Sequence, residues 1–159
     1  MKIGILSDTH SYMDDRILAY LRDRDEIWHI GDFGHYEVVA QLQQIAPLKG
    51  VYGNIDGQAI RQEFAEHERF ERAGLDVWMT HIGGYPGKYE RHIRDAIHQD
   101  PPDLFLSGHS HILKVVRDQK LNLMHLNPGA AGKTGFHKER TLLLMELVDR
   151  QIRDLRVVE

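Results

Sequence analysis

Cysteine is absent from this chain, which excludes disulfides and thiolate metal ligands and leaves the compartment undecided by redox chemistry. No apolar run approaches the ~20 residues of a membrane span. The start, Met1 to Asp8, reaches charge too soon for the apolar region of a signal peptide, so a cytoplasmic location is expected. A basic excess is missing too. The formal net charge is −4 with histidine neutral, which argues against long nucleic acid as a partner because phosphate contacts need Lys and Arg. There is also no internal repeat, low-complexity tract or Gly/Ser linker.

What remains is ordinary globular material. The 159 residues, 42% apolar and 28% charged, suit one domain spanning 1–159 with a sizeable core. Eleven histidines are more than usual. Lys2 to Ser7 reads as a buried strand, 12 to 24 as a helix, Glu26 to Gly31 as a strand, Tyr36 to Ile45 as a helix and Leu48 to Gly53 as a strand. Such alternation predicts βαβ units and a largely parallel sheet. Phe64 to Arg72 and Leu75 to His81 read as a hairpin turning at Ala73-Gly74. Pro86 to His98 resumes a helix, with Tyr89, Ile93, Ala96 and Ile97 on one face. Asp103 to Ser107 is a strand. The C-terminal third is all strand: Lys114 to Arg117, Leu121 to Leu126, Arg140 to Val148 and Ile152 to Val158. The expected fold is α/β, with two sheets packed face to face and helices outside.

Chemistry-bearing residues fall just past these apolar runs. They are Asp8 and His10 in Ser-Asp-Thr-His, Asp32 in Gly-Asp, Asn54 in Gly-Asn, His81 in Thr-His, and His109 and His111 in Gly-His-Ser-His. No fragment is specific alone. Parallel strands, however, deliver their C-terminal loops to one edge, where open α/β sheets place their ligand crevices. Asp and His without Cys make a mixed nitrogen/oxygen site suited to Mn, Fe, Zn, Co or Ni. Two such ions about 3.5–4 Å apart need an anionic bridge, and Asp32 suits that role because glycine before it allows close backbone approach. A neutral Asn54 oxygen adds a ligand without adding charge. A water bridging the ions would ionise near neutral pH and attack phosphorus in line. Two cations on Asp8 and Asp32 leave a local charge of about +2, attractive to phosphate despite the acidic chain.

At this point the chain resembles the calcineurin-like metallophosphoesterases, in particular their small prokaryotic phosphodiesterase branch. The resemblance rests on Asp8-Thr9-His10, Gly31-Asp32, Gly53-Asn54-Ile55-Asp56, Thr80-His81 and Gly108-His109-Ser110-His111, and extends through Leu126-Asn127-Pro128-Gly129. It implies a four-layer αββα sandwich of two mixed sheets. It implies that Asp8, His10, Asp32 and His111 hold one ion and Asp32, Asn54, His81 and His109 the other, with manganese the first choice. Asp32, Asn54 and His81 would stand at the reacting centre. It also suggests homodimers or homotetramers. Larger members carry histidine directly after the asparagine; here that position is Ile55, which can neither donate a proton nor hold phosphate. General acid help is typically worth 10²–10⁴ in rate, so diesters with good leaving groups are favoured over alkyl monoesters.

Other residues carry two readings each. His35 either lines the pocket or caps the helix starting at Tyr36. With Asn54 and His137, it is a candidate substrate contact. The loop Lys133 to Arg140, with His137 and Lys138, is a phosphate contact or, more commonly for such stretches, a solvated charged loop. Gly83, Gly84 and Gly87 read as a mobile rim loop or ordinary turns. His29, His67, His92, His98 and His125 read as structural, and Asp56 as a turn former or helix cap. The function expected is a dinuclear metal phosphodiesterase acting on a small substrate. The alternatives are a phosphomonoesterase or nucleotide hydrolase, or a non-enzymatic scaffold of the same fold. A retromer-coat subunit resembles these enzymes but has lost part of the site and works by binding partners.

Overall fold

The computed structural model describes residues 1–159. Its first sheet contains β1 (Lys2–Leu6), β2 (Glu26–His29) and β3 (Leu48–Gly50), followed in the chain by β11 (Leu142–Val148) and β12 (Gln151–Val158). Their spatial order is β12-β11-β1-β2-β3, with β1, β2 and β3 mutually parallel and β11 and β12 antiparallel to their neighbours. The second sheet holds β4 (His67–Arg72), β5 (Leu75–Thr80), β8 (Leu104–Leu106), β9 (Leu113–Asp118) and β10 (Leu123–Pro128). It runs β4-β5-β8-β10-β9, with β5, β8 and β10 parallel.

The strand sequences explain the layering. In β1, Ile3 and Ile5 point to the core between the sheets, while Leu6 joins the layer of Ile17, Leu21, Val38, Leu42 and Ile60. Those residues come from α1 (Asp15–Leu21), α2 (Tyr36–Gln43) and α3 (Gln58–Glu63). In β8, Leu104 and Leu106 face the shared core and Phe105 faces Ile93 and Ile97 of α4 (Arg91–Gln99) on the far side. Parallel strands covered on both faces read as unbroken apolar runs. The result is the expected helix–sheet–sheet–helix sandwich, in which each fully buried aliphatic side chain contributes about 1.5–3 kcal/mol.

Several boundaries differ from expectation. α1 starts at Asp15 rather than 12, because the Asp14 carboxylate caps it by accepting from the Ile17 N–H (2.9 Å). α3 was not anticipated: Gln58–Glu63 has only Ile60 buried, too little for a periodic signal. The expected helix at Pro86 gives way to a hairpin of β6 (Gly84–Tyr85) and β7 (Lys88–Tyr89), turning at Pro86-Gly87. The nearby glycines are therefore turn formers. Tyr89 is buried on this hairpin, not on α4, and Ala96 is exposed. No helix is long and apolar enough to cross a membrane.

Candidate metal centre

Every expected ligand lies just past the carboxyl end of a parallel strand. Asp8 and His10 follow β1, Asp32 follows β2, Asn54 follows β3, His81 follows β5, and His109 and His111 follow β8. Backbone bonds knit these loops together. Asp8 N–H donates to Gly31 O (3.0 Å), His10 N–H to Asp32 O (3.0 Å), and Gly108 N–H to His81 O (2.9 Å). The first sheet thus presents Asp8, His10, Asp32 and Asn54, and the second presents three imidazoles across the seam.

The side chains converge in two groups. Potential ligand atoms of Asp8, His10 and His111 lie within 4.8 Å of one another, as do those of Asp32, His81 and His109. Asp32 Oδ2 sits between the groups, 3.3 Å from His10 Nε2 and 3.2 Å from His81 Nε2. His111 Nε2 is 3.2 Å from Asp8 Oδ1, and Asn54 Oδ1 is 3.1 Å from His81 Nε2. All seven expected ligands are brought together.

Each acid has one oxygen fixed and one presented. Asp8 Oδ2 accepts from Ser7 Oγ–H (2.6 Å) and His109 N–H (3.2 Å), and its Oδ1 is buried without a hydrogen-bond partner. Asp32 Oδ1 accepts from Ile55 N–H (3.1 Å), leaving Oδ2 toward the imidazoles. His81 donates Nδ1–H to the Ile30 carbonyl (2.7 Å), which aims Nε2 inward. His10 Nε2 is likewise buried and unpartnered. Asp8 Oδ1 and His10 Nε2, buried side by side without a hydrogen-bond partner, fit cation ligation by nitrogen and oxygen.

The backbone is distorted at the same places. Asp8, His10, Asp32, His109 and His111 have φ between 45° and 67°, a left-handed conformation uncommon outside glycine. Such strain persists where surrounding structure over-determines it, commonly at functional sites. Gly31 (φ 90°) explains the Gly-Asp pairing: a Cβ there would lie 2.6 Å from His81 Nδ1. The glycine makes room for the imidazole of another loop.

Charge follows geometry. Burial would raise the Asp32 pKa, but the hydrogen bond and charge of His81 outweigh it and lower it. Burial likewise opposes a charged His81, yet Asp32 and Asp8 raise its pKa overall. Asp8 raises that of His111. Acids and imidazoles here stabilise each other's charge, as a cation would stabilise the acids.

Supporting residues around the ligand loops have defined roles. Thr9 Oγ lies 3.0 Å from His29 Nε2 and donates to Phe33 O (3.0 Å), bracing the Asp32 loop. Asp56 accepts from Gly34 N–H (2.9 Å) and Gly53 N–H (2.7 Å), so it ties two ligand loops and is a turn former. Their signal was adjacency to the ligands inside each block. His35 N-caps α2 by position, with an exposed side chain that makes no cap hydrogen bond; the structure does not bring it against the cluster. His29 and His125 are buried inside strands, while His67, His92 and His98 are exposed. His137 lies 3.1 Å from His111. Two clefts open beside the cluster. One, about 350 Å³, is bounded by Asn54 and His81 with Tyr52, Arg61 and His92. The other, about 530 Å³, is bounded by His10, His109 and His111 with Ile112 and Phe136.

The calcineurin-like phosphoesterase superfamily domain matches residues 1–150. This chain belongs to that superfamily. A probable metallophosphoesterase of Methanothermobacter thermautotrophicus is 29% identical to the phosphoesterase over 137 residues, 82% of this chain and 77% of that one. A phosphodiesterase of Methanocaldococcus jannaschii is 27% identical over 145 residues, 81% and 83% of the two chains. Among solved structures, wild-type Vps29 of Entamoeba histolytica complexed with Zn²⁺ superposes with a TM-score of 0.75 at 18% identity, covering 99% and 98%. That likeness is one of fold. Family membership makes the protein a metal-dependent phosphoester hydrolase.

Proposed function

We propose that this phosphoesterase is a dinuclear phosphodiesterase. Asp8, His10 and His111 would hold one ion, Asn54, His81 and His109 the other, and Asp32 would bridge them. The carrying observation is the position of Asp32 Oδ2, within 3.3 Å of an imidazole from each ligand group. When bound, two divalent ions such as Mn²⁺ supply Lewis acidity and an activated water at neutral pH. The chain's own part is to orient. Ser7 and Ile55 hold the distal carboxylate oxygens, and the Ile30 carbonyl sets the His81 tautomer.

The diester reading has its own support. A phosphodiester carries two organic arms, and the clefts of about 350 and 530 Å³ are bounded by different ligands of the cluster. A monoester needs only one. Ile55 is 46% exposed and its side chain has no proton to give, which favours substrates with good leaving groups. With four expected ligands in one sheet's loops and three in the other's, nothing of the set is missing, and this weighs against a scaffold role. The test is hydrolysis of an aryl phosphodiester and an aryl phosphomonoester by metal-stripped protein, with Mn²⁺, Co²⁺, Ni²⁺, Zn²⁺ or Fe²⁺ returned singly. The expected result is metal-dependent cleavage with the diester preferred, lost in His109→Ala. No cleavage of either substrate with any metal would reject the proposal.

A further inference from the structure

We propose that His137 is a positioning residue that fixes the tautomer and orientation of His111 for metal binding; this rests on the reading of His111 as a ligand. The protons can be assigned from the acceptors. The Gly132 carbonyl lies 2.7 Å from His137 Nε2. A carbonyl only accepts, so Nε2 carries the hydrogen, and in a neutral ring Nδ1 is then a bare acceptor. That acceptor is 3.1 Å from His111 Nδ1, which must therefore be the donor. His111 is left with its lone pair on Nε2, the atom 3.2 Å from Asp8 Oδ1 in the ligand cluster. Carbonyl, imidazole and imidazole form one directed chain ending on the metal side.

The chain is closed onto the site it serves. Gly132 N–H donates to the Asp8 carbonyl (3.1 Å), so the fixed end of the chain is tied to another ligand of the same group. The intervening segment is held at both ends: Lys133 Nζ lies 4.5 Å from the Tyr12 ring centroid, and Arg140 pairs with Asp14 at 3.0 Å. Gly135, with φ 131°, sits against the junction. A Cβ there would collide with His111 Nδ1 and lie 3.0 Å from His137 Nδ1. The two rings meet edge to face, with centroids 5.0 Å apart. A phosphate contact would need a free donor on His137, and its one N–H is already committed to Gly132. Outer partners of this kind, usually a carboxylate or carbonyl, hold a ligating imidazole's orientation and raise its basicity. Here a second imidazole stands in between.

Two measurements test the pair. In metal-binding titrations against a competing chelator, His137→Leu is expected to weaken one of two bound ions about 10–100-fold. His137→Asn, whose Oδ1 replaces the Nδ1 acceptor, is expected to recover most of that loss. Both ions held with wild-type affinity by His137→Leu would overturn the role. The second measurement needs no variant. Histidine ¹⁵N spectra of the Zn²⁺-loaded wild type should show His137 as the Nε2–H tautomer and His111 bearing hydrogen on Nδ1. His137 bearing hydrogen on Nδ1 would overturn it. A wild type that binds two ions but hydrolyses no phosphoester would defeat the proposed function and leave the histidine pair standing.

Discussion

Asp32 and His81 meet across the seam between the two sheets, with Oδ2 3.2 Å from Nε2. One follows β2 and the other β5, so the contact exists only when the sheets are docked. Asp32 Oδ2 also lies 3.3 Å from His10 Nε2, so it stands within 3.3 Å of an imidazole from each group, whereas Asp8 Oδ1 is 3.2 Å from His111 but 3.8 Å from His81. Asp32→Asn keeps the shape and removes the charge. Turnover should fall by more than the 10–100-fold typical of outer partners, with one ion lost from the stoichiometry by elemental analysis. A variant with two ions and full rate would show that the acid does not bridge.

Ser7→Ala removes the hydroxyl that donates to Asp8 Oδ2 at 2.6 Å in a fully buried position. Asp8 Oδ2 is then held only by the longer His109 N–H bond (3.2 Å), which orients its presented oxygen less firmly. Metal affinity should drop about 10-fold with folding nearly intact, as read by chelator competition and a thermal melt on the same sample.

Ile55→His places an imidazole where the chain has an exposed alkyl group. The structural task of residue 55, its N–H to Asp32 Oδ1, belongs to the backbone and survives. Rates on alkyl esters should rise relative to aryl esters, toward but not beyond the 10²–10⁴ of general acid catalysis. An unchanged alkyl-to-aryl ratio would mean that the position does not face the leaving group.

Burial lowers the His125 pKa from 6.5 to about 4, with the Phe105 carbonyl offsetting only part of it. The folded ring is neutral where the unfolded one takes up a proton. Its contribution to stability is complete above about pH 6.5 and is lost as pH falls toward 4. His125→Leu should flatten the pH dependence of urea unfolding in that window, by up to about 1.4 kcal/mol per pH unit.

Metal saturation should stabilise the fold as well as activate it. Ligand at 1,000 times Kd adds about 4 kcal/mol, a Tm rise of roughly 10 °C for a domain of this size. Asp8→Ala should abolish most of the increment seen in differential scanning calorimetry.

The convergence of the candidate ligands was legible in the sequence because each follows a strand-like stretch. Once β1, β2, β3, β5 and β8 are parallel within their sheets, geometry brings the loops together. What was not legible lies where the local signal is weak. α3 buries one residue, and Pro86-Gly87 interrupts a helical pattern with a turn the periodicity conceals. Thr9 is a small polar residue whose partners, His29 and Phe33, are 20 or more positions away, and the reach of Asp56 to Gly34, 22 residues off, goes beyond the turn it forms. His137 lies 26 residues from His111, on a loop whose composition reads only as charged and solvated.

The division of donors between the sheets gives the ions a second consequence. Asp8, His10, Asp32 and Asn54 belong to one half of the sandwich, and His81, His109 and His111 to the other. An ion coordinated by both acts as a clasp, and only a chain that has already closed its two halves can accept it. Amide exchange in the edge strands β4 and β12, which contribute no candidate ligand, should therefore slow on metal loading. On the proposed ligand set, metal affinity therefore reads how completely the two sheets have docked.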